Sequence, residues 1–367
     1  MKNIGFISTR FSGTDGVTME ASKWSEVLSQ KGHNCFWFAG ELDRDPQKSF
    51  LVPEAHFKHE KNQWLNDRIF GHKERSPVVT ESIYELKALI KRRIQEFISQ
   101  FGIDLIIAQN VLTIPLHIPL GIALTEIIAE TQIPTIAHHH DFYWERKRFF
   151  VNAVEDYLRM AFPPHLNSIE HVVINSAAQE ELALRTGVSS TIIPNVLDFE
   201  NPPEIDADQT AAFRNSLDLK PKDHIILQPT RIVQRKGIEY AIELVEGLKD
   251  PQYKLVISHE AGDEGYEYSE WLMDTARERG VDLRLVKTRV SDPLYLHANH
   301  NMNHTNHNMT PSLWDIYPHA DFITYPSLYE GFGNAFLEAV YFKKPLLINR
   351  YSTFIRDIEP KGFNLIA

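Results

Sequence analysis

The sequence predicts an α/β protein built from two parallel-sheet domains, and three observations carry that expectation. A chain of 367 residues exceeds what a single core commonly organises. Short apolar runs alternate with longer amphipathic ones, the pattern of repeated βα units. The alternation breaks between Asn195 and Asp208, where Pro202, Pro203 and several acids intervene, and a second βα series begins at His224. The expected division is therefore a first domain over 1–197, a linker over 198–208 and a second domain over 209–367.

In the first domain, strands are expected at Ile4–Ser8, Cys35–Phe38, Leu105–Ala108, Thr135–His138, Val172–Ile174 and Thr191–Ile193. Helices are expected at Val17–Gln30, Glu81–Phe101, Leu120–Glu130 and Ala177–Thr186, each carrying apolar residues at helical spacing. Residues 40–80 are polar with scattered aromatics and give no clear element. In the second domain the strands are His224–Gln228, Lys254–Ser258, Leu283–Val286, Phe322–Tyr325 and Pro345–Ile348. Helices Ile238–Leu248 and Tyr268–Arg279 lie between them.

Composition narrows the class. Hydrophobic residues make up 43% and charged residues 24%, as in soluble globular proteins. A net charge of −11 argues against nucleic acid as the main partner, so an anionic ligand must be met by local basic groups. No apolar run approaches the ~20 residues of a membrane span, and MKNIGFISTRF runs straight into a strand pattern without a signal peptide. The single cysteine, Cys35, excludes a disulfide framework, which makes the cytoplasm the expected compartment.

Parallel sheets bind ligands at the carboxyl ends of their strands, and four such ends carry chemistry here. After the first strand, Gly13 and Gly16 free the backbone beside a helix N-terminus, a favourable place for an anion or simply a tight turn. His138-His139-His140-Asp141 closes another strand; adjacent histidines of an extended segment point to opposite sides, so this triplet alone makes a poor metal site. Arg231 stands just past a strand end and Lys236 near the next helix N-terminus, so the two can converge on a diphosphate or form a solvated basic turn. Tyr325–Asn349 combines a strand end, the loop Glu330-Gly331-Phe332-Gly333 and a helix that begins near Asn334 and carries Glu338. A further stretch, His297–Met309, holds His297, His300, His304 and His307; Asn and His form helices poorly, which favours a polar loop over a metal site.

Together these pieces resemble the retaining glycosyltransferases of family 4. The Gly13–Gly16 loop resembles that family's N-terminal glycine loop, although Thr14 and Asp15 separate the two glycines. His140-Asp141 resembles its strand-end His-Asp, and Pro194-Asn195-Val196-Leu197-Asp198 its domain-crossing motif. Arg231…Lys236-Gly237 and Glu330-Gly331-Phe332-Gly333…Glu338 resemble its two donor-site motifs. The resemblance implies a GT-B fold of two Rossmann-like domains facing across a cleft, the first for the acceptor and the second for the donor. It also implies further helices beyond Glu338, so with the chain ending at Ala367 the second domain is expected to be incomplete at its C-terminus.

The same resemblance implies roles for individual residues. Arg231 and Lys236 would bind the donor diphosphate and stabilise the leaving group. Glu330 would contact the donor sugar, Gly331, Phe332, Gly333 and Asn334 would offer backbone N–H groups, and Glu338 would hold the ribose. His140 would face the reacting sugar, while Gly13 and Gly16 would let their loop close over the phosphates. No metal and no other cofactor is implied, the cations replacing magnesium. The expected activity is transfer of a hexose from a UDP- or GDP-sugar to a small polar carbohydrate acceptor, acidic acceptors included. For that acceptor the residues proposed are Asp141, Tyr143, Trp144 and Arg146, whose aromatic faces and charge suit a sugar bearing an acid; a packing segment is the alternative. The segment from Asp141 to Phe150, together with Lys87, Lys91, Arg92 and Arg93 on the long amphipathic helix, raises membrane docking as a further reading. Competing functions are a disaccharide phosphorylase on the same scaffold, a His-cluster metallohydrolase and a non-catalytic sugar-nucleotide sensor.

Overall fold

The computed structural model describes residues 1–13, 15–200, 213–258, 267–286 and 316–367. They form two compact units, Met1–Pro194 and Asn195–Ala367, so the division falls slightly before position 197. Most of the expected linker, from 201 onward, lies outside the described residues, as do Thr14 and the whole of His297–Met309.

The first unit is a seven-stranded sheet, with every paired neighbour parallel. Its strands are β1 (Asn3–Ile7), β2 (Asn34–Ala39), β3 (Ser49–Leu51), β4 (Leu105–Gln109), β5 (Thr135–His139), β6 (Ile169–Val173) and β7 (Thr191–Ile192). The spatial order β3-β2-β1-β4-β5-β6-β7 reverses direction between β1 and β4, and loops leaving strands on the two sides of such a reversal diverge to open a crevice. The helices are α1 (Gly16–Gln30), α2 (Glu60–Ile69), α3 (Pro77–Phe101), α4 (Ile118–Thr131), α5 (Glu155–Ala161) and α6 (Ser176–Thr186).

α3 shows how local chemistry sets an element. Ser76 accepts a hydrogen bond from the Val79 amide, Pro77 sits in the first turn where its missing N–H costs nothing, and Gly102 ends the helix in the left-handed region. The helix therefore starts one turn earlier than the apolar spacing from Glu81 suggests. Val79, Ile83, Leu86, Ile90, Ile94 and Phe97 form its buried stripe, each side chain contributing roughly 1.5–3 kcal/mol on burial. On its other side Lys87 and Lys91 hold Glu126 of α4, and Lys91 also holds Glu130. Those two cations are thus paired within the fold, as Arg93 is with Glu96, which weakens the basic cluster considered for membrane docking. Among the described residues no helix is long and apolar enough to cross a membrane.

The second unit is a five-stranded sheet, again parallel in every pair, in the order β10-β9-β8-β11-β12. Its elements are β8 (His224–Gln228), α7 (Ile238–Leu248), β9 (Tyr253–Ile257), α8 (Glu267–Glu278), β10 (Leu283–Leu285), β11 (Phe322–Tyr325), α9 (Asn334–Tyr341) and β12 (Leu346–Ile348). Alternate strand residues serve opposite faces. Ile226, Leu255 and Ile257 pack with Ile238, Ile242 and Leu272 from α7 and α8, whereas Ile225, Leu227, Val256 and Ile323 pack with Phe336 of α9 and Phe354. Direction reverses here between β8 and β11, so the loops after those strands frame this unit's crevice. A buried network fixes the place: Thr324 donates to the Gln228 carboxamide oxygen at 2.7 Å, and the Gln228 amide donates to Thr230 at 2.9 Å.

Candidate active site

In the second unit, the loops after β8 and β11 are pressed together by glycine and backbone. Gly237 has φ +59°, and a Cβ there would lie 2.5 Å from the Pro326 carbonyl oxygen, so only glycine permits the approach. The Leu328 amide donates to the Arg235 carbonyl at 2.9 Å. This contact brings Lys236 onto Glu330 in a close ion pair, with Arg235 on the other carboxylate oxygen at 3.1 Å. The Lys236 and Glu330 side chains are only 10% and 9% exposed. Burial lowers the Lys236 pKa, opposed by the Glu330 charge. Burial works to raise that of Glu330, but Lys236 and Arg235 outweigh it and hold the carboxyl below its usual value. The Glu330 carboxyl is therefore ionised at neutral pH. Arg231, exposed three residues past the end of β8, lies close enough to Lys236 to lower its pKa further, so three neighbouring cations accompany one carboxylate and leave positive charge for an anionic ligand.

Beyond Glu330 the backbone is held in an open-handed shape. Thr353 donates to the Glu330 carbonyl at 3.1 Å and Tyr351 to the Phe332 carbonyl at 2.9 Å. Gly333, at φ +107°, leads directly into α9, and a Cβ there would meet the Tyr351 hydroxyl at 2.6 Å. The side-chain oxygen of Asn334, the first residue of α9, accepts from Asn195 at 3.0 Å, which ties the Pro194-Asn195 motif to this helix. Glu338 lies one turn into α9, is buried, and takes a hydrogen bond from the buried Tyr317 hydroxyl. The structure thus gathers Arg231, Lys236, Glu330, Gly331, Phe332, Gly333, Asn334 and Glu338 at one strand-end edge. It adds Arg235 and Tyr317, which were not expected.

The carboxyl edge of the first unit gathers the other candidates. Asp15 caps α1, accepting from the Val17 and Thr18 amides and pairing with Arg10 at 2.9 Å. Those are the amides a phosphate at this helix end would use, so the expected anion site beside Gly16 already holds a carboxylate. Gly13 donates its amide to Asp43 at 2.8 Å.

At the end of β5, Asn110 accepts from the His140 amide at 3.0 Å and donates to Asp141 at 3.0 Å. The His140 Nε2 lies 3.3 Å from the Gln109 carboxamide oxygen. Burial pushes the His140 pKa down to about 4, with Asp141 and Asp15 opposing, so the imidazole is neutral at pH 7. His138 stacks on Trp24 with ring centroids 4.5 Å apart and lies as close to His140, while His139 bonds His171 at 2.9 Å inside the core. His139 therefore points away from its neighbours, as alternation requires. Among the described residues no group of three or more His, Cys, Asp or Glu is placed to hold a metal ion.

The segment proposed for the acceptor is only partly open. Trp144 stacks on Phe142 at 4.4 Å and packs with Val173 and Leu182, and the Arg185 guanidinium lies 5.4 Å from its ring. Tyr143 packs against the main core of this unit. Arg146 is ion-paired to Asp141. Composition suggested free aromatic faces; the rings instead anchor the loop, and the charged pair is what reaches the edge.

Two parallel α/β units, each with charged groups at its strand ends, set the class of scaffold, and comparison with known proteins assigns the family. Residues 14–201 match the family described as Glycosyltransferase Family 4, and residues 209–366 match Glycosyl transferases group 1. The chain belongs to the family 4 glycosyltransferases and has their GT-B fold. Among its relatives is the mannosylglucosylglycerate synthase of Petrotoga mobilis, 33% identical over 99% of this chain and 86% of that protein. The enzyme of the same name from Thermotoga maritima is 30% identical over 99% of this chain and 84% of that protein. Similar folds include Anabaena HepE in complex with UDP-glucose, with a TM-score of 0.61 at 14% identity, covering 97% of this chain and 82% of that one. The catalytic domain of Arabidopsis thaliana starch synthase IV, solved with ADP and acarbose, has a TM-score of 0.59 at 10% identity over 99% and 86% of the two chains.

Proposed function

We propose that this glycosyltransferase moves a hexose from a nucleotide-diphosphate sugar, a UDP- or GDP-sugar, to a small acidic carbohydrate acceptor. Taking the relatives' names as a guide, the hexose is mannose and the acceptor glucosylglycerate. The observation that carries the reading is the buried Lys236–Glu330–Arg235 cluster with Arg231 beside it. Three cations against one carboxylate suit a diphosphate, and their charge supports the nucleotide diphosphate as the anomeric C–O bond to phosphate breaks. The acceptor hydroxyl oxygen forms the new glycosidic bond, and its proton goes to the departing phosphate oxygen. No enzymic nucleophile is assigned, consistent with retention by attack on the face the leaving group vacates.

In this reading Glu330, already charged and positioned by Thr353 and the two cations, accepts hydrogen bonds from hydroxyls of the donor sugar. Backbone N–H groups from Gly331 to Asn334 hold sugar and phosphate, and Glu338, oriented by Tyr317, takes the ribose. His140 contacts the sugar being transferred. The cations do the electrostatic work for which other transferases use a metal, so the reaction proceeds without one. Arg146 and Arg10, each paired to an aspartate at the first unit's strand ends, are the basic groups offered to the acceptor carboxylate.

The test is a thermal-shift panel of UDP-, GDP- and ADP-mannose and -glucose, followed by product analysis with glucosylglycerate. One donor at 100 times its dissociation constant should stabilise the protein by about 2.7 kcal/mol. Stabilisation by inorganic phosphate alone, with no response to any sugar nucleotide, would replace this reading with a phosphorylase.

A further inference from the structure

The His140 imidazole is held by a residue that no motif marks. Gln109, the last residue of β4, is fully buried, and its side-chain oxygen faces His140 Nε2 at 3.3 Å. Its backbone carbonyl accepts from Ser8 Oγ at 3.1 Å, across the sheet's reversal point, which fixes the backbone at this residue. Its neighbour Asn110 adopts φ +57° and holds the backbone amide of His140 and the carboxylate of Asp141. Thr113 binds the Asp141 carbonyl at 2.6 Å. The ring and backbone of His140 are therefore both tied to the end of the adjacent strand.

We propose that Gln109 is a positioning residue that fixes the tautomer of His140, placing the proton on Nε2 and leaving the Nδ1 lone pair to accept a hydrogen bond from a substrate sugar hydroxyl. In this orientation of the Gln109 amide, whose own buried Nε2 has no hydrogen-bond partner, the oxygen facing His140 Nε2 can only accept, which places the proton of the neutral ring there. Among the described residues Nδ1 of His140 makes no hydrogen bond. It is also not among the sealed ring nitrogens of this region, which are both of His138, Nδ1 of His139 and Nε2 of His171. The proposal rests on the reading that His140 contacts the transferred sugar, and adds which of its atoms does so and in which protonation state.

The groups facing His140 agree with a neutral ring. Asp141 follows it in the chain and is paired with Arg146; Asp15 and Lys23 approach from α1; His138 lies beside it on β5. The two acids favour the protonated form and Lys23 opposes it, but burial dominates and keeps the ring neutral.

Replacing the amide by a carboxyl tests the logic. In Gln109→Glu, one added proton shared by the introduced carboxyl and His140 puts a hydrogen on Nδ1 whichever partner holds it: an imidazolium carries both, and a protonated carboxyl donating to Nε2 leaves the ring proton on Nδ1. Only when that proton leaves does Nδ1 become an acceptor again. Gln109→Glu should therefore show kcat falling at least ten-fold between pH 9 and pH 6, with KM for the donor changed less, while the unsubstituted enzyme shows no such titration. An identical pH profile in both would overturn the proposal.

A second measurement does not depend on the variant folding. In the unsubstituted protein labelled with 15N-histidine, the His140 signals, assigned by their loss in His140→Asn, should show Nε2 protonated and Nδ1 bare at pH 7. A proton on Nδ1 would overturn the proposal while leaving the glycosyltransferase reading intact. Full activity of His140→Ala would instead take down the premise that this ring touches substrate, and the proposal with it. The donor-dependent thermal shift would still stand as a separate test of the reaction.

Discussion

Replacement of Glu330 by alanine isolates the buried ion cluster. In the folded protein this carboxylate satisfies Lys236, only 10% exposed, and Arg235, about a quarter exposed. Removing one partner of a buried pair leaves an uncompensated charge, at a cost of about 3–5 kcal/mol. For a unit the size of Asn195–Ala367, where each kcal/mol moves the midpoint by roughly 2–4 °C, the second unit's thermal transition should fall by about 6–20 °C. The loss should depend on pH with a defined sign. Without Glu330, the charge that opposes them, burial, Arg235 and Arg231 all hold the Lys236 pKa below its unfolded value. The folded state then binds fewer protons at this site than the unfolded state. The penalty is full below the folded pKa and fades as pH rises toward the unfolded one. Glu330→Ala should thus be most destabilised at pH 6 and recover partly by pH 9.5, and adding Lys236→Met should restore most of the stability at pH 6. Melting curves of the three proteins across pH test this. A Glu330→Ala loss under ~1 kcal/mol that does not vary with pH would refute the reasoning.

Other consequences follow from individual contacts. Tyr317→Phe removes a hydrogen bond to the buried Glu338 carboxylate and should cost about 1.5–3 kcal/mol in stability or donor affinity, measured by denaturation and donor titration. Gly333→Ala meets both an unfavourable φ and the Tyr351 hydroxyl 2.6 Å away, so transfer should drop by at least ten-fold while Gly247→Ala, in open space on α7, leaves it unchanged. Exhaustive chelation should leave the initial rate within two-fold of the untreated enzyme; loss of activity restored by added magnesium would contradict the metal-free reading.

Much of this was legible in the sequence, for identifiable reasons. α7 was read to the residue because its apolar stripe is bounded by Gly237, and β8 and β11 because they are short apolar runs bounded by polar or turn residues. The second unit's candidate residues were visible because strand ends, glycines and charges coincide there. β3 escaped notice because three residues, one of them Ser49, make no pattern, and α5 because seven residues span barely two turns.

Long-range partnership was the larger gap. Nothing local announces that Lys91 will meet Glu126 and Glu130, that Trp144 will turn inward onto Phe142, or that Tyr317 will orient Glu338. Gln109 falls just past the expected strand Leu105–Ala108 and belongs to no motif. Its meaning comes only from β5 lying alongside β4, which places His140 against it.

The central claim, donor-dependent transfer carried by the Arg231–Arg235–Lys236–Glu330 cluster, is tested most directly by one measurement. The purified chain is given GDP- or UDP-mannose and glucosylglycerate, and mannosylglucosylglycerate is quantified alongside Lys236→Ala. The account predicts product with one of the two donors and a loss of at least a hundred-fold in kcat/KM in the variant. Equal turnover by Lys236→Ala and the unsubstituted enzyme would contradict it.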